Sequence, residues 1–283
     1  MSIKDITVVI TSFRSENKIL RCIKSLGTEL SIIVVENSND QALKEKLERD
    51  YSNIKCILSD NNLGYAKGNN LGLSMVKTRY ALIINPDAEV HSHSIKNFFI
   101  TVKKKPNFSI IAPYIQEPEN KETHIEEDQS VVEVNSVKGF AMFLNLREFE
   151  EVGFFDENFF IYFEEIDLCK RLRKNNKKIY LDKTIKIKHA GGTSHEEEIN
   201  YEMEKSRNWH WMWSTFYYHK KHYGYFFAFI KILPKFVSSI LKTIFYKIIS
   251  ENKKKDIYYS RFQGILNSIL LKKSWYRPNI NKS

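Results

Sequence analysis

The feature that most constrains this sequence is the alternation, over its first hundred residues, of short apolar runs with helical patterns. The apolar runs occupy residues 6–10, 32–35, 54–58 and 80–84. The helical patterns between them occupy residues 18–26, 41–50 and 65–76. Strands that are apolar throughout are buried on both faces, and their alternation with helices predicts a mostly parallel sheet with right-handed crossovers. We therefore expect an α/β fold, flanked by helices, whose ligands bind beyond the carboxyl ends of the strands.

The pattern continues less regularly after this region. Residues 116–133 are rich in Asp and Glu and lack periodicity, so we expect an exposed loop there. Strands are predicted at residues 134–137 and 183–189, and a helix at residues 164–174. The three cysteines show no CxxC spacing, and Asp5 interrupts the N-terminal apolar stretch, so we expect a protein of the reducing cytosol.

Charge divides the chain into two parts. The 283 residues carry a net charge of +10, yet residues 205–283 contain 16 Lys and Arg against 2 Asp and Glu, which gives +14 for this segment and −4 for residues 1–204. We therefore predict a main domain at 1–204 and a basic, aromatic, helical extension at 205–283. Because residues 1–204 lack a net positive charge, the sequence argues against a nucleic-acid partner.

A first candidate site follows the fourth strand, at Asn85-Pro86-Asp87-Ala88-Glu89. Carboxylates at i and i+2 of an extended segment point the same way, so Asp87 and Glu89 are candidate ligands for a hard divalent cation that also binds a diphosphate. Pro86 keeps Asn85 out of helical geometry and fixes the turn. The alternative is an ordinary Asn-Pro-Asp turn without a binding role.

A second candidate site is an aromatic run that ends in three acids, Glu164, Glu165 and Asp167. An acid beside apolar walls has a raised pKa, which suits a general base. Acids at a helix N-terminus followed by bases also suit the helix macrodipole, which is the structural alternative. A third candidate is His189, which is followed by two glycines that would let backbone approach a ligand. The chain lacks GxGxxG after the first strand and lacks a P-loop motif.

Seven segments in order carry a resemblance to a known family. They are VVITSF (8–13), VVENSND (34–40), NNLGYAKGNNLG (61–72), INPDAEV (84–90), VKGFAMFL (137–144), GFFDENFFIYFEEIDLCKRLR (153–173) and KHAGGTS (188–194). Together they resemble the family 2 inverting glycosyltransferases with a GT-A fold, especially the branch of bacterial rhamnosyltransferases and related cell-surface polysaccharide enzymes.

The resemblance implies roles for individual residues. It implies Glu165 as the catalytic base, with Glu164 and Asp167 beside it. It implies Asp87 as the principal metal ligand, helped by Glu89 or His189. The residues that it implies for the nucleotide and donor sugar are Thr11, Ser12, Glu36, Asn62, Gly64, Lys67, Asn70, Asn85 and Gly139. This chain departs from the family pattern by having Asn85 at the first acidic position, Glu36 instead of Asp, and Glu-Glu instead of Glu-Asp at 164–165.

The resemblance also implies the reaction. A hexosyl or deoxyhexosyl group would pass, with inversion, from a nucleotide-diphosphate donor such as dTDP-rhamnose or a UDP-sugar to a hydroxyl of a lipid-linked glycan. Mg²⁺ or Mn²⁺ would neutralise charge on the departing diphosphate. Two alternatives remain open. One is a nucleotidyltransferase, although residues 11–14 read Thr-Ser-Phe-Arg instead of a Gly-rich loop, and the other is a catalytically silent membrane-binding module.

The basic extension has its own pattern. Lys231, Lys235 and Lys242 fall within about 60° of one another on a helical wheel, with apolar residues over much of the remaining surface. Pro234 is compatible with this helix if the helix begins there. The pattern is typical of a helix lying on an anionic membrane, here the inner face of the cell membrane. Packing on the main domain or a second subunit, as in a homodimer, is the alternative, and a nucleic-acid surface is a weaker one.

Overall fold

This computed structural model of the chain describes residues 2–91, 93–114, 130–189 and 197–278. The chain forms two compact units. The first consists of Met1–Leu63, Lys67–Phe155 and Glu165–His195, and the second of Gly64–Ala66, Asp156–Glu164 and Glu196–Ser283. The boundary predicted at residue 204 lies inside a helix, Asn200–Tyr223, so the helical unit begins earlier and includes two short segments from the main part of the sequence.

The first unit contains the predicted parallel sheet. Its strands are β1 (Ile6–Ser12), β2 (Ser31–Glu36), β3 (Ile54–Leu58) and β4 (Tyr80–Ile84), in the spatial order β3-β2-β1-β4 and parallel throughout. The intervening helices are α1 (Glu16–Leu26), α2 (Gln41–Asp50) and α3 (Gly64–Ser74). β1, β2 and β4 are buried almost along their whole length, as expected for strands covered on both faces.

The sheet continues as a mixed half. The further elements are β5 (Ala88–Val90), α4 (Ser94–Lys104), β6 (Phe108–Tyr114), β7 (Val131–Glu133), β8 (Ala141–Asn145), α5 (Glu164–Lys174) and β9 (Lys178–His189). β8 lies between β4 and β6 and is antiparallel to both, while β6 and β9 are parallel. The strand predicted at 134–137 is wrong, because the chain pairs with β9 three residues earlier, at β7. The predicted loop at 116–133 lies mostly outside the described residues.

An aromatic stack fills the core where the parallel half meets the mixed half. The ring of Phe143 on β8 lies 4.8 Å from that of Phe98 on α4, and 5.4 Å and 5.8 Å from those of Tyr80 and Phe108. All four rings are buried, and such stacked pairs add to the free energy of burial. The stack fixes β8 against β4, whose ends carry candidate site residues.

The second unit is built on three helices, α6 (Asn200–Tyr223), α7 (Tyr225–Ile248) and α8 (Asn252–Ile269). α8 crosses α6 closely at Gly264, where a Cβ would overlap the carbonyl oxygen of Trp209. α7 does not begin at Pro234 but runs through this exposed proline from nine residues earlier. Buried Ala228 and Ile232 anchor the turns before it, which offsets the hydrogen bond that proline cannot donate. Over the described ranges, no helix has the length and apolar character to cross a bilayer.

Candidate active site

The candidate residues are carried by strand ends that share one edge of the sheet. β1 and β2 are parallel and end at Ser12 and Glu36, which are paired in register. β4 is parallel to β1 and ends at Ile84, whereas β8 runs the opposite way and begins at Ala141, the partner of Ile84. The segments that follow β1, β2 and β4 and the segment that precedes β8 therefore meet at this edge, where parallel α/β sheets bind ligands.

A β-turn presents Asp87 at this edge. The carbonyl of Asn85 accepts a hydrogen bond from the N–H of Ala88 at 3.1 Å, which closes a turn with Pro86 at its second position. The N–H of Asn85 donates to the carbonyl of Phe140 at 2.8 Å, which ties the turn to the segment before β8. The Asp87 side chain is only 1% exposed.

His189 faces Asp87 from the neighbouring strand. Ala88 on β5 pairs with His189 at the end of β9, and this pairing brings His189 Nε2 to 3.3 Å from Asp87 Oδ1. The imidazole stacks on Phe140 with ring centroids 4.6 Å apart. Residues a hundred positions apart in sequence thus form one carboxylate–imidazole pair. The glycines after His189 lie outside the described residues.

The Asp87–His189 pair suits part of a divalent-cation site. Carboxylate oxygen binds Mg²⁺ and Mn²⁺, and imidazole nitrogen suits transition-metal ions. Among the residues that the structure describes, no three His, Cys, Asp or Glu side chains cluster as metal ligands. Such a cation would therefore take its remaining ligands from water and from diphosphate oxygens, as Mg²⁺ commonly does.

Glu89 is placed differently from its prediction as a metal ligand. Its carboxylate forms an ion pair with Arg21 of α1 at 3.9 Å, and its side chain is 45% exposed. The i, i+2 argument fails because Asp87 lies in the turn, one residue before β5 begins, so strand alternation does not relate the two acids. We assign Glu89 to the surface and keep Asp87 and His189 as the candidate ligands.

Thr11 offers a buried hydroxyl near the end of β1. Its Oγ1 has no hydrogen-bond partner among the described residues. α3 comes very close here, because a Cβ added at Gly68 would lie 2.6 Å from Thr11 Cγ2 and 3.2 Å from Asn37 Nδ2. A buried polar group without a partner is destabilising, so this hydroxyl is a candidate contact for a bound nucleotide.

Two other predicted nucleotide contacts organise loops instead. The buried Glu36 carboxylate accepts hydrogen bonds from the N–H groups of Ser38 at 3.0 Å and Asp40 at 2.8 Å, and from the Ser38 hydroxyl. The Ser12 hydroxyl is also buried and lies 2.7 Å from that of Ser15. Both side chains fix the backbone at the ends of β1 and β2, which leaves the Glu36 carboxylate with little capacity for a nucleobase.

The remaining predicted donor-binding residues differ in their surroundings. The Asn70 amide is bonded in both directions to the backbone of Phe155, with Nδ2 to the carbonyl at 2.9 Å and Oδ1 to the N–H at 3.1 Å. Asn70 therefore holds the backbone of a loop. Lys67 is exposed on α3, and Asn62 and Gly139 are half-buried in loops. Gly64 has φ 76° and abuts the Phe160 backbone, where a Cβ would overlap.

Glu165 stands near the start of α5 and retains a free carboxylate oxygen. Its Oε2 is buried and has no hydrogen-bond partner among the described residues. Burial raises the pKa of Glu165 above its usual value, and the N–H groups of Glu165 and Ile166 at the helix N-terminus offset part of that rise. Its neighbour Glu164 is buried as well. These are the surroundings of a general base.

The turn before Glu165 is strained. Tyr162 and Phe163 both have φ 71°, a left-handed conformation that bulky residues rarely adopt. Within the second unit, α6 holds this turn, because the ring of Trp211 lies 5.1 Å from that of Tyr162 and 5.4 Å from that of Phe163. The Ser214 hydroxyl also donates to the carbonyl of Ile161 at 3.0 Å. Strain of this kind is concentrated at active sites.

Asp167, the third predicted acid, has a structural role. It is fully buried, and its Oδ2 lies 2.8 Å from Nε of Arg171, one helical turn later. Arg171 in turn donates to the carbonyls of Val152, at 2.7 Å, and Phe154. Asp167 therefore positions an arginine that binds the backbone of the loop before α5.

Sequence reasoning did not anticipate the contacts of Phe140 or the backbone conformation of Tyr162 and Phe163. Phe140 supplies both the carbonyl that holds Asn85 and the ring that stacks on His189. Tyr162 and Phe163 form the strained turn, and no sequence pattern reveals a positive φ at an aromatic residue. The aromatic run before the acids was the only sequence feature that drew attention to Tyr162 and Phe163.

Comparison with known proteins identifies the family of the chain. The family model described as "Glycosyl transferase family 2" matches residues 7–170, which is more than half of the chain. The chain belongs to glycosyltransferase family 2. The matched residues include β1 except Ile6, all of β2 to β8 and the first seven residues of α5, so the family region contains Asp87 and Glu165.

Two relatives extend the comparison. The low-salt glycan biosynthesis hexosyltransferase Agl10 of Haloferax volcanii is 28% identical over 195 residues, which cover 61% of this chain and 62% of that protein. The match thus spans less than two thirds of that relative. The rhamnosyltransferase WbbL of Escherichia coli is 23% identical over 246 residues, or 75% of this chain and 91% of that protein.

A solved structure confirms the fold. The mannosyltransferase PcManGT from Pyrobaculum calidifontis, in complex with GDP-Man and Mn²⁺, superposes with a TM-score of 0.60 and covers 95% of this chain and 88% of its own. At 9% sequence identity, this similarity shows the fold alone. The predicted GT-A fold, with a helical C-terminal region, is confirmed.

Proposed function

We propose that this chain is an inverting glycosyltransferase that moves a sugar from a nucleotide-diphosphate donor to a hydroxyl of a glycan acceptor in polysaccharide biosynthesis. Membership of glycosyltransferase family 2 supports the reaction class over the nucleotidyltransferase alternative. The hexosyltransferase and rhamnosyltransferase relatives support a hexose or deoxyhexose as the transferred group. A dTDP-rhamnose or UDP-sugar donor and a lipid-linked acceptor are the specific substrates that we propose.

The observation that carries this proposal is the Glu165 carboxylate. Its Oε2 is buried without a hydrogen-bond partner among the described residues, and burial raises its pKa. We propose that this oxygen takes the proton of the acceptor hydroxyl while the hydroxyl oxygen bonds to the anomeric carbon and the bond to the diphosphate breaks. A single displacement of this kind inverts the anomeric configuration. A carboxylate with a raised pKa is a stronger base than an exposed one, which favours the proton transfer.

Asp87 and His189 serve the other side of the reaction. We propose that they hold a divalent cation, Mg²⁺ or Mn²⁺, together with the donor diphosphate. The bound cation supplies charge neutralisation to the departing nucleoside diphosphate. The protein fixes its two ligands through the Asn85–Ala88 turn and through the stacking of His189 on Phe140. Orientation of both ligands before binding reduces the entropy lost when the donor binds.

The test is a donor screen with purified protein and a crude lipid-linked acceptor, in which nucleoside diphosphate release is measured with Mn²⁺, with Mg²⁺ and with EDTA. We expect release from one donor with a divalent cation, an inverted anomeric configuration in the product by NMR, and loss of turnover in Glu165→Gln. Glu151→Gln, which removes an exposed acid of the same type, is the control and should retain turnover. The absence of release with every common nucleotide sugar would favour the catalytically silent alternative.

A further inference from the structure

α7 exposes a continuous apolar stripe. Its residues, spaced three or four apart, are Phe226, Ile230, Leu233, Val237, Leu241, Ile244 and Ile248. Their exposed fractions range from 41% at Leu233 to 76% at Phe226 and Ile248. At 100° per residue, all seven fall within an arc of about 80°, and they extend over about 33 Å of helix. Side chains this apolar are rarely left in water as a continuous surface.

A different face of α7 packs within the second unit. Ala228 and Ile232 belong to a buried cluster with Phe216 of α6 and Ile265 of α8. This packing lies within the second unit and uses a face of α7 other than the exposed stripe. The packing face is filled, and the exposed stripe remains for a partner.

The charge of α7 and of the segment around it indicates the partner. α7 contains no Asp or Glu, and Lys231, Lys235 and Lys242 form a third arc, centred about 140° from the centre of the stripe and next to the packed face. Lys242 lies over the ring of Tyr258 on α8, 4.9 Å from its centroid, which places it on the side of α7 that faces α8. Burial and the charges of Arg261 and Lys231 lower the pKa of Lys235, as expected where cations are concentrated. Lys253, Lys254 and Lys255 follow at the start of α8.

We propose that the stripe docks on an anionic lipid bilayer, with α7 lying in the plane of the interface. The apolar side chains would enter the boundary of the acyl chains, while the net charge of +14 of residues 205–283 attracts the anionic surface. A second copy of the chain fits less well, because two segments of +14 each would be brought face to face. Nucleic acid would leave the apolar stripe in water. This proposal stands apart from the transfer reaction and is tested without it.

The experiment is cosedimentation of the purified full chain with vesicles of phosphatidylcholine alone or mixed with phosphatidylglycerol, over a range of salt concentrations. We expect binding to the anionic vesicles that weakens as salt rises, with each lysine contributing about fivefold. The double variant Val237→Asp/Leu241→Asp should bind the anionic vesicles about a hundredfold more weakly than wild type. Each substitution lowers the partition of that side chain into the bilayer about tenfold or more. Both positions are exposed, at 47% and 61%, so the helix should still fold.

A matched control makes the same chemical change elsewhere. Met75 and Ile100 in the first unit are 39% and 42% exposed, and Met75→Asp/Ile100→Asp should bind vesicles within about threefold of wild type, since the added negative charge lies outside the stripe. Circular dichroism would check that each variant is folded. Failure of wild type to bind anionic vesicles at low salt would overturn the proposal, as would wild-type binding by the stripe variant. Light scattering that showed a dimer dissociated by the stripe variant, without vesicle binding, would assign the stripe to a second copy.

Donor hydrolysis measured in the same samples separates the two proposals. Hydrolysis without vesicle binding would count against the docking proposal alone. Vesicle binding without hydrolysis would support the docking proposal and count against the proposed reaction.

Discussion

His210 on α6 should make the second unit lose stability as the pH falls below neutrality. Its ring is fully buried, stacked on Phe160 at 4.4 Å, and its Nε2 lies 2.9 Å from the carbonyl oxygen of Tyr276. A carbonyl only accepts, so Nε2 carries the hydrogen and Nδ1 accepts from the Ser274 hydroxyl at 3.0 Å. The neutral imidazole satisfies both bonds, whereas a protonated ring would turn a second donor toward Ser274. Burial is the main reason that the pKa of His210 falls to about 3, and the charge of Arg277 lowers it further.

The sign and size of the effect follow from linkage. The unfolded chain takes up the proton near the ordinary pKa of 6.5, whereas the folded chain resists it down to about 3. Stability from this group is therefore fully present above pH 6.5 and is lost as the pH falls toward 3. At pH 5 the unfolded state gains about 2 kcal/mol from protonation, and the whole window is worth about 5 kcal/mol. Most carboxylates remain ionised at pH 5, so this residue should dominate the first part of the loss.

Tryptophan fluorescence during urea unfolding gives a selective assay. All four tryptophans, Trp209, Trp211, Trp213 and Trp275, lie in the second unit, so the signal reports on that unit. We expect the free energy of unfolding to fall by about 2 kcal/mol between pH 7.5 and pH 5 in wild type. The amide of His210→Gln offers a donor and an acceptor. We expect this variant to have a lower free energy of unfolding than wild type at pH 7.5, and we expect that value to change little between pH 7.5 and pH 5. His91→Gln, at an exposed histidine of the first unit, should behave as wild type. Equal pH dependence in wild type and His210→Gln would refute the reasoning.

Three further predictions concern the proposed site and its support. Glu165→Gln should lower kcat about 10²–10⁴-fold, and an unchanged kcat would contradict this prediction. In wild type, the acid limb of the pH–rate profile should lie above pH 4.5, because Glu165 accepts a proton only when the pH exceeds its raised pKa. Asp87→Asn should weaken Mn²⁺ binding in the presence of nucleoside diphosphate at least tenfold by calorimetry, while Glu89→Gln should not. Gly72→Ala should lower the free energy of unfolding by about 1–3 kcal/mol in urea titrations followed by circular dichroism, since its Cβ would overlap Val9 Cγ1. Ser74→Ala, exposed on the same helix, should change it by less than about 0.5 kcal/mol.

The parallel half of the sheet was predictable because burial on both faces leaves an unambiguous pattern. The predicted bounds of α2, β3, β4 and α5 agree with the structure. The mixed half was harder, because a short run such as β7 becomes a strand only through its pairing with β9, and that pairing depends on tertiary structure. α4 and β6 had no counterpart in the sequence prediction, although Phe98 and Phe108 turned out to be core residues.

The candidate site shows a different limit. Residue type identified which side chains have the right chemistry, and the structure then divided them by what they contact. Asn70, Asp167 and Glu36 have polar groups committed to hydrogen bonds or an ion pair within the protein. Thr11 and Glu165 keep buried atoms without such partners among the described residues. A sequence cannot make this distinction, because it depends on where the backbone N–H and carbonyl groups of distant loops come to lie.

The aromatic composition of the second unit has a structural reason. Two left-handed residues in succession, Tyr162 and Phe163, cost about 1–3 kcal/mol each and persist only where surrounding contacts determine them. α6 provides those contacts, because Trp211 meets both rings and Tyr218 lies 5.4 Å from Phe163. Aromatic pairs contribute about 0.5–1.5 kcal/mol each beyond burial, so three pairs can offset a large part of the strain. α6, the helix that precedes α7 in the chain, therefore also holds the turn that comes directly before Glu164 in sequence.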